Sequence, residues 1–234
     1  MYYILKRIFD IILSFIAIVC LTPVWLPIII ALLLTGEHLV FYLQERIGIN
    51  EKPFFVYKFV TMVKNSEKMG TGTITLRNDT RVLPLGRFLR KTKLNELPQL
   101  LNIFLGHMSI IGPRPLVPKG FAQYNDLAKA KISEMKPGLS GIGSIIFRDE
   151  EHIISLAKNP IEFVKEHLQP HKGNLEIWYH EHRSLWVDTM IVFLTVWVVI
   201  FPKSELVYKV FPSLPKKDLE RAVEEFNEGL ETRD

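Results

Sequence analysis

Residues 11–34 carry no charged side chain across 24 positions, and this run constrains the chain more than any other feature. Lys6, Arg7 and Asp10 precede it; Glu37 and His38 follow. Roughly 20 apolar residues are enough to cross the hydrocarbon core of a bilayer as a helix. Thr22-Pro23 sits at the middle of the run, with Pro27 just beyond. Proline lacks an amide donor and its ring collides with the preceding turn, so the run is expected to bend or break at Thr22-Pro23. Two short halves at an angle would enter one leaflet and return to the same face; a kinked spanning helix is the alternative. Lys6 and Arg7 put the N-terminal flank on the cytoplasmic side in either case. No small-residue cleavage site follows the run, so a removable signal peptide is not expected.

The remainder is long enough for one domain of ordinary size: 234 residues in all, 48% of them apolar, with a net charge of +4. That mild positive charge suits an anionic membrane face or a phosphorylated substrate. A single cysteine, Cys20, excludes a disulfide framework within the chain and fits a reducing compartment.

Short extended segments are expected at 40–42, 54–59 and 74–76, punctuated by Gly48, Gly70 and Gly72. A helix is expected over 94–105, opened by Thr92 or Asn95, with Pro98 in its first turn and Gly106 at its end. Further helices are expected over 121–134 and over 152–168, the latter broken near Asn159-Pro160. Residues 185–201 form a second apolar run, interrupted by Asp188, and read as an interfacial or core-docked helix, with a spanning segment as the alternative. Trp178, Tyr179, Trp186 and Trp197 suit the headgroup level. Residues 216–231 place Leu219, Val223, Phe226 and Leu230 at helical spacing. The expected fold is α+β and mostly helical. Residues 1–38 are expected to form a membrane helix, re-entrant or kinked and spanning, 39–211 a small soluble core with interfacial amphipathic helices, and 212–234 an amphipathic tail.

The chemistry concentrates in residues 85–118. Arg77, Arg81, Arg87, Arg90, Lys91 and Lys93 place six cations within 17 residues, opposed by Asp79 alone. A charge run is commonly a solvated face. Here the cations alternate with Leu83, Leu85, Phe88 and Leu89, so one side is apolar and the charges gather on the other. Arginine suits bidentate phosphate contact, and a basic amphipathic element beside a membrane segment suits anionic headgroups. Nucleic acid is a poor fit, since no recognition module is present. Gly112-Pro-Arg-Pro115 is a stiff turn that limits where Arg114 can point.

KRIFD at 6–10, the Thr-Pro pair, QERIG at 44–48, FVYKFVTM at 55–62, GRFLRKTKLNELPQLLNIFLGHMSIIGPRP at 86–115 and KPGLSG at 136–141 occur in that order. Together they resemble the bacterial sugar transferase family, the monotopic phosphoglycosyl transferases. The resemblance implies transfer of a sugar phosphate from a UDP-sugar to polyprenyl phosphate, giving a polyprenyl diphosphosugar and UMP. It implies a re-entrant helix at Thr22-Pro23 in the cytoplasmic leaflet of the bacterial inner membrane. It also implies an Asp-Glu dyad with Mg²⁺, the Asp attacking the β-phosphorus and the metal neutralising the diphosphate. Residue by residue, the dyad falls on Asn95 and Glu96, with Glu96 as the metal ligand. The phosphate-binding arginines fall on Arg90 and Arg114, the first basic residue of the strand motif on Lys58, and the rigid turn on Pro113 and Pro115.

The chain departs from the family pattern at Asn95, where the nucleophilic Asp is usual, at Val60 and at His107, where a cation and an Asp are usual, and over IGSIIFRDEE at 142–151. An amide is a poor nucleophile, and losing a covalent nucleophile costs on the order of 10³-fold or more in rate. Asn still caps a helix about as well as Asp. Three readings stay open. Asp149, Glu150 or Glu151 compensates as nucleophile or ligand. The lipid phosphate attacks directly while Glu96 and Mg²⁺ position the diphosphate. Or the chain is a catalytically silent relative that binds nucleotide-sugar or pairs with an active homologue; a homodimer is open in any of the three. For Asp149–Glu151 a solvated turn capping the next helix carries equal weight, and His107 is more commonly a surface residue than a ligand.

Overall fold

Helix α1 runs without interruption from Tyr2 to Leu34. The computed structural model describes residues 1–70, 72, 75, 78–202 and 204–231. At 1.5 Å per residue, α1 is about 50 Å long, well beyond the roughly 30 Å of bilayer hydrocarbon. The break expected at Thr22-Pro23 is not one: Pro23 and Pro27 both lie inside the helix. The Thr22 hydroxyl donates to the Ile18 carbonyl at 2.9 Å, next to the carbonyl that Pro23 leaves without its partner. Packing holds the rest. Ala17, Ile18, Leu21 and Trp25 lie against Val56, Leu100, Ile103 and Met108, while Ile28 and Leu32 lie against Phe59 and Leu89. Away from these contacts, Ile12, Phe15, Ile16, Val19, Leu26, Ile30 and Leu33 are exposed.

Strands β1 (Phe41–Ile47) and β2 (Pro53–Phe59) pair as an antiparallel hairpin, with Tyr42 opposite Lys58 and Arg46 opposite Phe54. The strand expected over 74–76 falls, apart from Thr75, outside the described residues, as does Arg77. Helix α2 (Pro84–Lys91) buries Gly86 and Leu89. Gly86 is required there: a Cβ would stand 2.1 Å from the Thr61 carbonyl oxygen, so the GRFLRK and FVTM motifs touch backbone to backbone.

The helix expected over 94–105 divides into a 3₁₀ turn, Leu94–Glu96, and helix α3 (Gln99–Leu105), with Pro98 as the cap residue and Gly106 closing the end at φ +89. Strand β3 (Ser109–Ile111) pairs in parallel with β4 (Gly138–Ser140). The expected 121–134 helix also divides, into α4 (Pro118–Ala122) and α5 (Asp126–Ser133). Asn125 resets the chain, its side chain accepting from the Ala128 amide at 2.8 Å.

Helices α6 (Ile142–Ile146), α7 (Glu150–Leu156) and α8 (Pro160–Phe163) lead through a π turn at Val164–Leu168 into α9 (Gln169–His182). The chain leaves helix near Asn159-Pro160, as expected, and Asn159 caps α8. Helix α10 (Leu185–Ile200) buries Val187, Ile191, Leu194 and Val198 in the main core and exposes Trp186, Phe193, Val196, Val199 and Ile200. Helix α11 (Leu206–Val210) and α12 (Leu219–Glu231) follow, with Ala222, Val223 and Phe226 of α12 in that same core. Trp178 and Tyr179 are core residues at 6% and 2% exposure, not headgroup anchors, because α9 is enclosed on several sides; Trp186 is the exposed one of the set.

Candidate active site

Alternation along the hairpin puts Tyr42, Gln44 and Arg46 of β1 on the same face as Phe54, Val56 and Lys58 of β2. Val56 is fully buried against α3, so that face points at the 94–105 segment. Asn102, fully buried on α3, fixes the join: its Oδ1 accepts from the Tyr57 amide at 2.9 Å and its Nδ2 donates to the Phe55 carbonyl at 2.7 Å. The 3₁₀ turn before α3 follows Lys93, whose left-handed φ of +59 ends α2 abruptly. That elbow presents Asn95 and Glu96.

The opposite wall is the Gly112-Pro-Arg-Pro115 turn. It interlocks with the KPGLSG motif through β3 and β4, where Ser109 N donates to Pro137 O at 2.8 Å and Gly138 N to Pro113 O at 2.8 Å. The backbones are so close that a Cβ on Gly138 would lie 2.1 Å from the Gly112 nitrogen. The two motifs are therefore one structural unit. Arg46 Nη1 donates to the Pro115 carbonyl at 2.7 Å, tying the hairpin to the same turn.

Arg46, Lys58, Glu96, Gln99, Arg114, Pro115, Gly138 and Leu139 line one crevice. Glu96 Oε1 lies 3.8 Å from Arg114 Nη2. Burial pushes the Glu96 carboxyl upward, but Arg114, Lys58, Lys93 and Arg46 outweigh it and hold the group below its ordinary range, so it is ionised. Burial pulls Lys58 down to about 7, against the attraction of Glu96 and with the repulsion of Arg46, Arg114 and Arg90. Burial likewise lowers Arg46 to about 10, helped by Arg114. Three cations around one carboxylate leave an excess of positive charge, the condition for seating an anion.

Of the residues expected from sequence, Lys58, Glu96, Arg114 and Pro115 meet in this crevice. Pro113 lies behind it, holding Gly138. Asn95 is buried, 7% exposed, and caps neither helix; its Oδ1 has no hydrogen-bond partner among the described residues. Arg90 is paired with Glu151 rather than turned loose into the crevice, although Lys58 still feels its charge. Glu150 is engaged by Lys172 at 2.6 Å, and Asp149 is exposed at the start of α7 without capping it. Arg81 does not join a basic face: it is buried, bound to Asp79 and donating to the carbonyls of Ser66, Met69 and Gly72 at 2.7–2.9 Å. His107 is exposed, its ring beside Phe54.

Two residues escaped the sequence reading. Arg46 lies within the QERIG motif, and its placement one strand face from Lys58 was the signal. Glu176, on α9, is 5% exposed, with Oε2 lacking a partner among the described residues. Burial raises its carboxyl to about 7, against the Arg114 backbone amide and Lys172. An acid flanked by Leu175, Trp178 and Tyr179 on the buried side of a helix was the available signal.

Helix α1 is bound directly to this site. Arg7 donates to the Ile103 and Phe104 carbonyls at 2.7 and 2.8 Å, capping the C-terminus of α3. Buried Asp10 accepts from the Ile110 amide at 2.9 Å and the Ser109 hydroxyl at 3.1 Å, at the start of β3. Tyr2, Lys6 and Tyr179 all donate to Asp188 of α10, at 2.6–2.9 Å.

Residues 1–202 match the bacterial sugar transferase family. The chain belongs to that family. It is 34% identical, over 85% of its length, to a Klebsiella pneumoniae protein named UDP-glucose:undecaprenyl-phosphate glucose-1-phosphate transferase, covering 41% of that relative. It is 30% identical, over 84% of its length, to a Salmonella typhimurium undecaprenyl-phosphate galactose phosphotransferase, covering 40% of it. It is 34% identical to the uncharacterized sugar transferase EpsL of Bacillus subtilis, over 82% of this chain and 86% of EpsL. The chain thus spans about two fifths of the larger relatives and most of the smaller one.

Proposed function

We propose that this sugar transferase moves a sugar phosphate from a UDP-sugar to polyprenyl (undecaprenyl) phosphate, at the cytoplasmic face of the bacterial inner membrane. The observation that carries the reading is the crevice of Lys58, Arg46, Arg114 and Glu96 standing against a helix with an exposed apolar face. A diphosphate supplies the negative charge this cation excess lacks, and the lipid acceptor reaches the same place from the bilayer. The relatives named above for UDP-glucose and undecaprenyl phosphate support the substrate classes.

With an amide at position 95, the reaction this chain's residues fit is a single displacement. An oxygen of the lipid phosphate attacks the β-phosphorus, the bond from that phosphorus to the bridging oxygen breaks, and UMP leaves. Arg114 and Lys58 hold the diphosphate oxygens and offset the charge developing on them, which is where most of the catalysis of phosphoryl transfer lies. Glu150 is held by Lys172, which argues against a replacement nucleophile at that position.

Magnesium belongs to this proposal as a phosphate-borne ion. Among the described residues no group of three or more His, Cys, Asp or Glu gathers to cage a metal. Mg²⁺ commonly takes one or two carboxylates and completes its shell with water and substrate phosphates. Glu96 and the orphaned Oδ1 of Asn95 are the chain's donors for such an ion, which would neutralise diphosphate charge.

The test is UMP release from a panel of UDP-sugars with Mg²⁺ and undecaprenyl phosphate. Release is expected, and Glu96→Ala should reduce it about 10³-fold. A second reading, a silent relative that binds the nucleotide-sugar, is favoured by the buried amide at Asn95. It prevails if no UMP appears while UDP-sugar still raises the melting temperature, and if Asn95→Asp then creates turnover.

A further inference from the structure

The segment that departs most from the family pattern, 142–151, ends by pairing one carboxylate with Arg90, whose charge reaches Lys58 of the crevice, and another with Lys172. Glu151, in the first turn of α7, accepts from Arg90 Nη2 in the last turn of α2. Its neighbour Glu150 is tied to Lys172 of α9, and Arg114 and Lys93 also act on its charge. The two pairs differ in enclosure. Lys172 and Glu150 are 15% and 28% exposed at their side chains; Arg90 and Glu151 are 25% and 49% exposed. The inner pair fixes the start of α7 to the body of the protein, and the outer pair is the one that water and solutes can reach.

A guanidinium binds carboxylate and phosphate through the same planar donors. A carboxylate already seated on such an arginine therefore competes with any phosphate that arrives. We propose that Glu151 is an internal competitor for Arg90: it holds the guanidinium away from the crevice until an incoming diphosphate displaces it, with α7 pivoting on the Glu150–Lys172 pair. This rests on the reading of the crevice as a diphosphate site. It makes Glu151 a selectivity residue, because a ligand must bring enough charge to outcompete a carboxylate tethered nearby.

The experiment is UDP titration into the full-length, detergent-solubilised protein, comparing wild type, Glu151→Gln, Arg90→Ala and the double variant. Glu151→Gln keeps the side chain's size and removes its charge. It is expected to bind UDP about three- to fivefold tighter than wild type, the range an exposed ion pair supports. The gain should shrink in high salt. Arg90→Ala should bind more weakly, and in that background Glu151→Gln should add nothing. Melting temperatures without ligand show whether each variant is folded. If Glu151→Gln binds UDP no tighter than wild type, or less tightly, Glu151 supports Arg90 instead of competing for it and the inference is overturned. A gain of the same size in the Arg90→Ala background overturns it too, since the competition then lies elsewhere. If no folded variant binds UDP at all, the diphosphate reading fails and this inference with it.

Discussion

Lys58 is the residue on which the site's response to pH turns. Burial, with the repulsion of Arg46, Arg114 and Arg90 and against the attraction of Glu96, brings its proton loss down to about 7 from the usual 10.5. Below that pH it adds a cation to the crevice; above it the crevice loses one. UDP affinity is therefore expected to fall about tenfold between pH 6 and pH 8.5, the range of one charge-assisted hydrogen bond. Lys58→Met should flatten that profile, and Lys58→Arg should hold the affinity high throughout. A titration series by calorimetry checks both. For stability the sign is reversed: the unfolded chain keeps this proton to about 10.5, so raising the pH from 7 toward 10 favours the folded state. The positions of Lys58, Glu96 and Arg114 were legible because each sits in a motif whose order and spacing carry over. Arg90's partner was not. Glu151 lies 61 residues away along the chain, and nothing local announces the contact.

Helix α3 and the strand after it take their position from outside their own sequence. Arg7 closes the C-terminal carbonyls of α3, and Asp10 satisfies the two donors that open β3. Removing the Asp10 carboxylate strands a buried hydroxyl and a backbone amide, so Asp10→Ala is expected to cost about 2–4 kcal/mol, against about 1–2 kcal/mol for Arg7→Ala. Thermal unfolding in detergent measures the difference; equal, small losses would show that the caps matter little. At this scale strand β2, the α3 stop at Gly106 and the break at Asn159-Pro160 could be read from local chemistry. The division of 121–134 at Asn125 could not, since its apolar spacing continues across the cap. The burial of Trp178 was equally hidden: its partners, Phe211 and Ser213, arrive from beyond α10. In α1 the prolines do not end the helix, because tertiary contacts outweigh a lost backbone bond.

Over the whole molecule, α1 touches the body along its length. Its start meets α10 through Asp188, its middle meets α3, and its end meets β2 and α2. That arrangement predicts that both ends face the same side of the membrane. Single cysteines placed at Ile4 and His38, with Cys20 replaced, should both react with an impermeant thiol reagent in inside-out vesicles and be protected in right-side-out ones. Labelling from opposite sides would establish a spanning helix. The fastening of α1 by Arg7 and Asp10 also bears on attempts to obtain a water-soluble version by trimming the first 38 residues. Such a cut would take away the exposed apolar face of α1 and, with it, the struts that keep Glu96 and Arg114 opposed. The shortened protein should lose nucleotide affinity along with solubility trouble, because the anchor is also a beam of the scaffold.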